Sequence, residues 1–91
     1  MADVPSGSQP KPGPFARAVS AQIRSAMALR QISGTQLASK SGRSQSYMSK
    51  RLREESSFTA NDVEDICGVL GVDLLELLRA AVLASRRQSR S

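Results

Sequence analysis

Apolar residues recur at three- and four-residue steps along most of the chain, and this spacing predicts helices. The first stripe lies on a helix from about residue 14 to residue 29 and contains Phe15, Val19, Ile23, Ala26 and Met27. Two later stripes contain Val63, Ile66, Cys67 and Leu70, and then Leu74, Leu77, Leu78, Ala81 and Val82. No segment shows the alternation of a half-buried strand. The pattern therefore predicts an all-α fold.

Residues 33–52 predict two short helices between the first and second stripes. Ser33 suits the cap of the first, with Gln36 three residues later to complete a capping box. Ile32 is placed to pack against Leu37 across the start of that helix. These signals together fix where the helix begins.

A tight turn is predicted at Gly42, because glycine, which has no Cβ, adopts a positive φ without steric strain. Ser44 then caps a second helix only two residues later, so the two helices must meet at a sharp angle. The first turn of this second helix consists of Gln45, Ser46, Tyr47 and Met48. Its polar side chains need a partner outside the fold.

Two more helices are predicted by the same capping pattern. Thr59 caps one of them, with Asp62 in the third position, and Gly71 ends it. Asp73 caps the last helix, with Glu76 in the third position. The chain is thus expected to form five helices, of which the second and third are the bent pair.

The composition of the two ends predicts a domain over residues 14–84. Residues 1–13 are expected to form a flexible leader rich in proline, glycine and serine, because too little apolar surface is available to offset the entropy of ordering. The alternative is an arm that wraps around DNA. The leader has no net charge to attract DNA, however, because the charge of Lys11 is offset by that of Asp3. Residues 85–91, SRRQSRS, are expected to be a basic disordered tail.

The charge of the chain favours an acidic partner. The formal net charge is +5, for which nucleic acid is the usual partner. Six basic residues and no acid lie between residues 30 and 53, whereas seven acids and no base lie between residues 54 and 76. The molecule is therefore expected to be bipolar, with the bend on its positive side.

The inventory of reactive side chains argues against an enzyme. The chain has no histidine, which excludes the usual zinc sites and histidine-based acid–base chemistry, and it has a single cysteine, Cys67, on an apolar face. Cys67 is expected to be a small core residue rather than a redox site. No apolar run approaches the length of a membrane span, and the start lacks the order of a signal peptide. We therefore expect a cytoplasmic, nucleoid-associated protein without cofactor or metal.

Five helices with a bent pair in second and third place resemble the lambda-repressor and Cro class of helix-turn-helix proteins, the XRE family. The likeness covers residues 19–78 and rests on Leu37-Ala38, Gly42, the segment from Ser44 to Ser49, and Leu70-Gly71-Val72. It implies a compact five-helix DNA-binding domain with the helix-turn-helix at helices two and three. The run SKRL, a polar loop and then FT is similar to the small regulators of actinobacterial phages and their hosts.

The resemblance implies roles for individual residues. The base-contacting positions are Gln45, Ser46, Ser49 and Lys50, and the amide of Gln45 suits adenine N6 and N7 in the major groove. The phosphate-contacting positions are Gly34, Thr35, Arg43, Ser44, Tyr47, Arg51 and Arg53. For Ser49 and Tyr47 a solvated surface position is an equal alternative.

Three residues depart from the family's pattern. Gly34 stands where the family often has a glutamine that binds phosphate. Arg43 replaces a usual apolar residue of the turn, and Arg51 occupies a position that is commonly aliphatic. A small rotation of the helix would let Leu52 supply the missing packing.

The resemblance implies a transcriptional regulator, a repressor that binds an inverted-repeat operator as a homodimer. The predicted dimer interface contains Leu74, Leu75, Leu78 and Val82. A last helix enclosed within its own domain is the alternative use of these apolar residues. The alternative function is a protein-interaction module, antitoxin-like or anti-repressor, that works through the same leucine-rich helix. Neither hypothesis involves a small-molecule substrate or a membrane.

Overall fold

The computed structural model describes residues 10–89, with side chains through residue 87, and these residues form five helices and no strand. The helices are α1 (Pro14–Arg30), α2 (Gly34–Lys40), α3 (Gln45–Leu52), α4 (Ala60–Leu70) and α5 (Leu74–Ser89). The all-α, five-helix prediction is confirmed. Most of the predicted leader and the last two residues of the predicted tail lie outside the described residues.

Side chains fix the start of the two short helices, as predicted. Ser33 Oγ accepts from the Gln36 amide at 3.1 Å, and Gln36 Oε1 accepts from the Ser33 amide at 2.9 Å. Ser44 Oγ accepts from the amide of Tyr47 at 3.0 Å. Each bond satisfies an amide that has no carbonyl partner inside its own helix.

The bend between α2 and α3 depends on Gly42, which has a φ of 73°. A side chain at this left-handed conformation is strained, so glycine is the residue that fits. Ala38 is buried, and its small side chain lets the two helices approach closely. The helix-turn-helix is therefore formed where the sequence predicts it.

The core lies where α1, α2, α3 and α4 meet, with α5 packed along α1. Its fully buried apolar side chains are Ile23, Leu37, Met48, Ile66 and Ala81. Cys67 is also buried among core residues, as predicted. Burial, with a contribution from the charge of Asp73, raises the pKa of the Cys67 thiol.

The last helix extends further than the sequence predicts. Helix α5 continues to Ser89, so residues 85–89 are helical and do not belong to a disordered tail. Arginine and glutamine in this stretch favour helix, and Arg86 and Arg87 lie in the last turn, where positive charge complements the helix dipole.

The outer face of α5 carries exposed leucines. Leu77 and Ala81 are buried, and Leu78 and Val82 are partly buried. Leu75, in contrast, is 62% exposed. Within residues 10–89, none of the helices combines the length and apolar character needed to cross a bilayer.

Candidate nucleic-acid interface

Helix α3 presents Gln45 and Ser46 of its first turn to solvent, whereas the Tyr47 hydroxyl of the same turn is directed inward to Asp62. Met48 is fully buried and anchors the helix on the core. Gln45, Ser46 and Lys50 are exposed, and Ser49 is partly buried. The predicted base-contacting side chains are thus available on the surface of α3.

A polar cleft of about 320 Å³ brings the two kinds of predicted DNA contact together. Its lining residues come from α1, α2, α3 and the segment after α3, and are Arg24, Gly34, Thr35, Gln45, Ser49, Leu52 and Arg53. Gly34 and Thr35 are the first residues of α2, so their amides have no carbonyl partner within the helix. Leu52 Cδ1 lies 3.4 Å from the position of a Cβ on Gly34, so Leu52 packs beside the glycine.

The arginines at the rim of this cleft are paired with acids. Arg24 Nη2 lies 2.9 Å from Glu54 Oε2, and Arg24 Nη1 donates to the Leu52 carbonyl at 2.7 Å. Arg53 Nε lies 2.8 Å from Glu55 Oε2, and Arg53 Nη1 donates to Ser49 Oγ. Since these carboxylates directly follow α3, the predicted separation into a basic and an acidic side is wrong at this edge.

The buried acid Asp62 of α4 forms the centre of what we call the Asp62 cluster, which contains Arg43, Tyr47, Arg51 and Asp62. Asp62 is only 2% exposed. Its Oδ1 accepts from Arg43 Nε at 2.7 Å, and its Oδ2 accepts from the Tyr47 hydroxyl at 2.7 Å and from the Thr59 amide at 2.9 Å. One carboxylate therefore joins the α2–α3 turn, α3 and the start of α4.

Both arginines of the cluster are turned inward. Arg43 also forms an ion pair with Asp65 at 2.9 Å and donates to the Ser41 carbonyl at 2.6 Å. The guanidinium of Arg51 lies 3.5 Å above the centre of the Tyr47 ring, and its Nε is 3.9 Å from Asp62 Oδ2. Among the described residues, Arg51 Nε has no hydrogen-bond partner. The side chains of Arg43 and Arg51 are 18% and 11% exposed.

The electrostatics of the cluster favour an ionised Asp62. Burial alone would raise the pKa of this carboxyl, but hydrogen bonds from Thr59, Tyr47 and Arg43 outweigh burial and hold the pKa below its ordinary value. Burial and the bond to Asp62 raise the pKa of Tyr47. The same carboxylate raises the pKa of Arg43, so the arginine stays charged.

The structure therefore separates the predicted phosphate contacts into two groups. Gly34, Thr35, Ser44 and Arg53 lie at the cleft or on the exposed start of α3. Arg43, Tyr47 and Arg51 instead direct their polar groups to Asp62. Sequence reasoning assigned Asp62 only its capping role, which is confirmed, and missed its burial beneath α3. The two arginines at usually apolar positions were the available signal.

The model of the Cro/C1-type helix-turn-helix DNA-binding domain matches residues 22–81 of this chain. The chain belongs to this family. The matched segment contains all of α2, α3 and α4, so the bent pair and the Asp62 cluster both lie within the Cro/C1-type domain. Double-stranded DNA is accordingly its partner.

Solved structures of a bacterial regulator share this fold. One crystal structure of the clp gene regulator ClgR from Corynebacterium glutamicum is 25% identical in sequence and has a TM-score of 0.77, covering 89% of this chain and 85% of that chain. A second ClgR structure is also 25% identical, with a TM-score of 0.69 over 75% of this chain and 88% of that chain. A search of curated protein sequences finds no significant match. This Cro/C1-type protein is a DNA-binding transcriptional regulator.

Proposed function

We propose that the protein is a repressor that binds an inverted-repeat operator as a dimer, with α3 of each subunit in the major groove. The observation that carries this proposal is the orientation of α3. Met48 is buried on one side, whereas Gln45, Ser46 and Lys50 are exposed on the other. An exposed polar helix at a tight bend is the arrangement that helix-turn-helix proteins place against base edges.

Base reading is assigned to Gln45, Ser46, Ser49 and Lys50. Gln45 presents an amide, which pairs with adenine through two hydrogen bonds. Lys50 presents an ammonium, which reaches guanine O6 or N7. Ser49 Oγ accepts from Arg53 in the free protein, and its hydroxyl hydrogen remains available to donate to a base.

Phosphate binding is assigned to Gly34, Thr35, Ser44 and Arg53. Gly34 and Thr35, the first residues of α2, line the polar cleft together with Gln45. Arg53 is 56% exposed and pairs with an exposed carboxylate, so a phosphate can replace Glu55 at modest cost. Such contacts set the position of the protein on the duplex without reading sequence.

Dimerisation is assigned to α5, through Leu74, Leu75, Leu78 and Val82. Leu74 and Leu78 also line an apolar groove of about 440 Å³ together with Phe15 and Phe58. Exposed apolar surface of this kind favours a partner subunit. Two-fold symmetry then places the half-sites about one helical turn apart.

The decisive test begins with selection of bound sites from a random DNA pool, which reports sequence preference, symmetry and spacing together. Gln45→Ala is then titrated against the selected operator and a scrambled duplex. We expect it to weaken operator binding by about 1–3 kcal/mol, with little change on the scrambled duplex. Equal losses on both duplexes contradict base reading by Gln45.

The second candidate function is a protein-interaction module that works through α5, and the exposure of Leu75 favours it as much as it favours a dimer. Leu75→Glu separates the two, because a charge at this position disrupts an apolar contact. Loss of the dimer in sedimentation together with weaker operator binding supports the repressor. A complex with another protein that forms without DNA and is lost in Leu75→Glu supports the interaction module.

A further inference from the structure

We propose that Asp62 is a positioning residue for DNA reading: from α4, outside the bent pair, it sets the rotation of α3 and withholds Arg43 and Arg51 from the DNA backbone. The proposal deepens the proposed function and rests on it, since it takes α3 as the DNA-facing helix. It assigns to Asp62 both an orienting role and a role in specificity.

The orienting role follows from the spacing of the residues that Asp62 holds. Arg43, Tyr47 and Arg51 follow one another at four-residue steps, so they form one stripe along the turn and α3. Asp62 contacts Arg43 and Tyr47 at 2.7 Å and lies 3.9 Å from Arg51. A carboxylate fixed to this stripe prevents α3 from rotating about its axis.

Fixing that stripe also directs the base-reading side of the helix. Gln45 precedes Tyr47 by two residues, which is a rotation of about 200° around a helix. Ser49 follows Tyr47 by two residues and lies on the same opposite side. When Asp62 holds Tyr47 inward, Gln45 and Ser49 are therefore directed outward, which agrees with their common place in the polar cleft.

The specificity role follows from the charge of Arg43. This residue precedes the cap Ser44 and lies two residues before Gln45, at the edge of α3 proposed to meet DNA. A free guanidinium there would bind any phosphate, whatever the sequence. Asp62, Asp65 and the Ser41 carbonyl occupy it instead.

Arg51 is withheld in a second way. Its guanidinium is covered by the Tyr47 ring, and its Nη1 donates to the Tyr47 carbonyl at 3.2 Å. The backbone carbonyl of Arg51 accepts a hydrogen bond from Ser20 Oγ at 2.9 Å. The backbone of α3 is thereby tied to α1 as well. Two positive charges beside the reading surface thus add little sequence-independent attraction, and the exposed polar side chains decide where the protein binds.

The test compares salt dependence on a random-sequence duplex between 50 and 200 mM salt. Arg53→Gln and Arg43→Gln remove the same charge, from an exposed and an inward-turned side chain. We expect Arg53→Gln to flatten the plot of log affinity against log salt by about one unit, and Arg43→Gln to leave it unchanged. A flattening by Arg43→Gln equal to that of Arg53→Gln overturns the proposal.

Asp62→Asn tests the opposite change, in which the arginines stay but lose the carboxylate that holds them. It releases the guanidinium groups of Arg43 and Arg51 while keeping the size of the side chain at residue 62. The slope should steepen by about one unit for each released arginine, which adds roughly a threefold loss of affinity across this salt range. The ratio of operator to random affinity should fall, and Asp62→Asn with Arg43→Gln should recover the part of the slope due to Arg43. A folded Asp62→Asn protein with unchanged slope and ratio overturns the proposal.

The outcomes distinguish this proposal from the proposed function. If circular dichroism shows that Asp62→Asn does not fold, the Arg43→Gln and Arg53→Gln pair still decides whether Arg43 is withheld. A wild-type protein without preference for any duplex overturns the repressor function, yet the slopes on random DNA still test Arg43. A wild-type protein that binds no duplex overturns both.

Discussion

Truncating Asp62 is expected to be among the most destabilising single changes in this domain. Asp62→Ala leaves Arg43 and Arg51 as positive charges that are 18% and 11% exposed, without the carboxylate between them. Removing one partner of a buried ion pair costs about 3–5 kcal/mol. The capping bond to the Thr59 amide is lost as well. Against a total stability of about 5–15 kcal/mol for a typical domain, this loss is large.

Asp65 provides a matched control, because it contacts the same guanidinium from the surface. Its side chain is 55% exposed and lies 2.9 Å from Arg43 Nη2. Exposed ion pairs contribute about 0–1 kcal/mol, so Asp65→Ala should cost at most about 1 kcal/mol. Both variants remove a carboxylate from the same arginine, but Asp62→Ala removes a buried one that also accepts from Tyr47 and Thr59.

Urea unfolding measures both variants, and the chain offers a local reporter. Tyr47 is its single tyrosine and there is no tryptophan, so tyrosine fluorescence reports on the Asp62 cluster while circular dichroism reports on the helices. In a two-state domain the two signals change together. A loss below about 1 kcal/mol for Asp62→Ala, or one no larger than that for Asp65→Ala, refutes the view that burial makes this carboxylate essential.

Two further predictions concern buried ionisable groups. Because the pKa of Asp62 is lower in the folded protein than its ordinary value near 3.9, its carboxylate stabilises the fold above about pH 4, and that contribution is lost as the pH falls through the folded-state pKa. The urea midpoint should therefore drop less steeply below pH 4 in Asp62→Asn than in the wild-type protein, and parallel curves would contradict this. Cys67 is buried with a raised pKa, so a thiol reagent should label it slowly in buffer and quickly in urea; similar rates would place it at the surface.

Most of the fold could be predicted from local sequence signals. The capping boxes begin with Ser33 and Thr59, and the left-handed glycines Gly42 and Gly71 follow α2 and α4. These signals act within one turn of helix, so a sequence pattern contains all the information they need. The predicted end of α5 was wrong. Residues 85–89 are polar but still favour helix, and polarity alone does not indicate disorder.

The outward direction of α3 was also predictable, since its first turn is polar and Met48 is its apolar anchor. The ion pairs could not be predicted from the sequence, because they depend on which helices meet in space. The basic stretch of residues 30–53 and the acidic stretch of residues 54–76 form ion pairs through Arg53 with Glu55 and Arg43 with Asp62. A count of charges along the chain cannot show such pairs.

Arg43 and Arg51 explain each other once Asp62 is placed between them. An arginine at a usually apolar position needs either solvent or a buried carboxylate, because an unpaired buried charge costs several kcal/mol. Two such arginines eight residues apart, on one stripe with Tyr47 midway between them, therefore require an acid on the facing helix. Asp62 meets that requirement, and its capping position had already fixed its side chain at the start of α4. Departures from a family's apolar pattern that share one helix face thus predict a compensating charge on the helix packed against it.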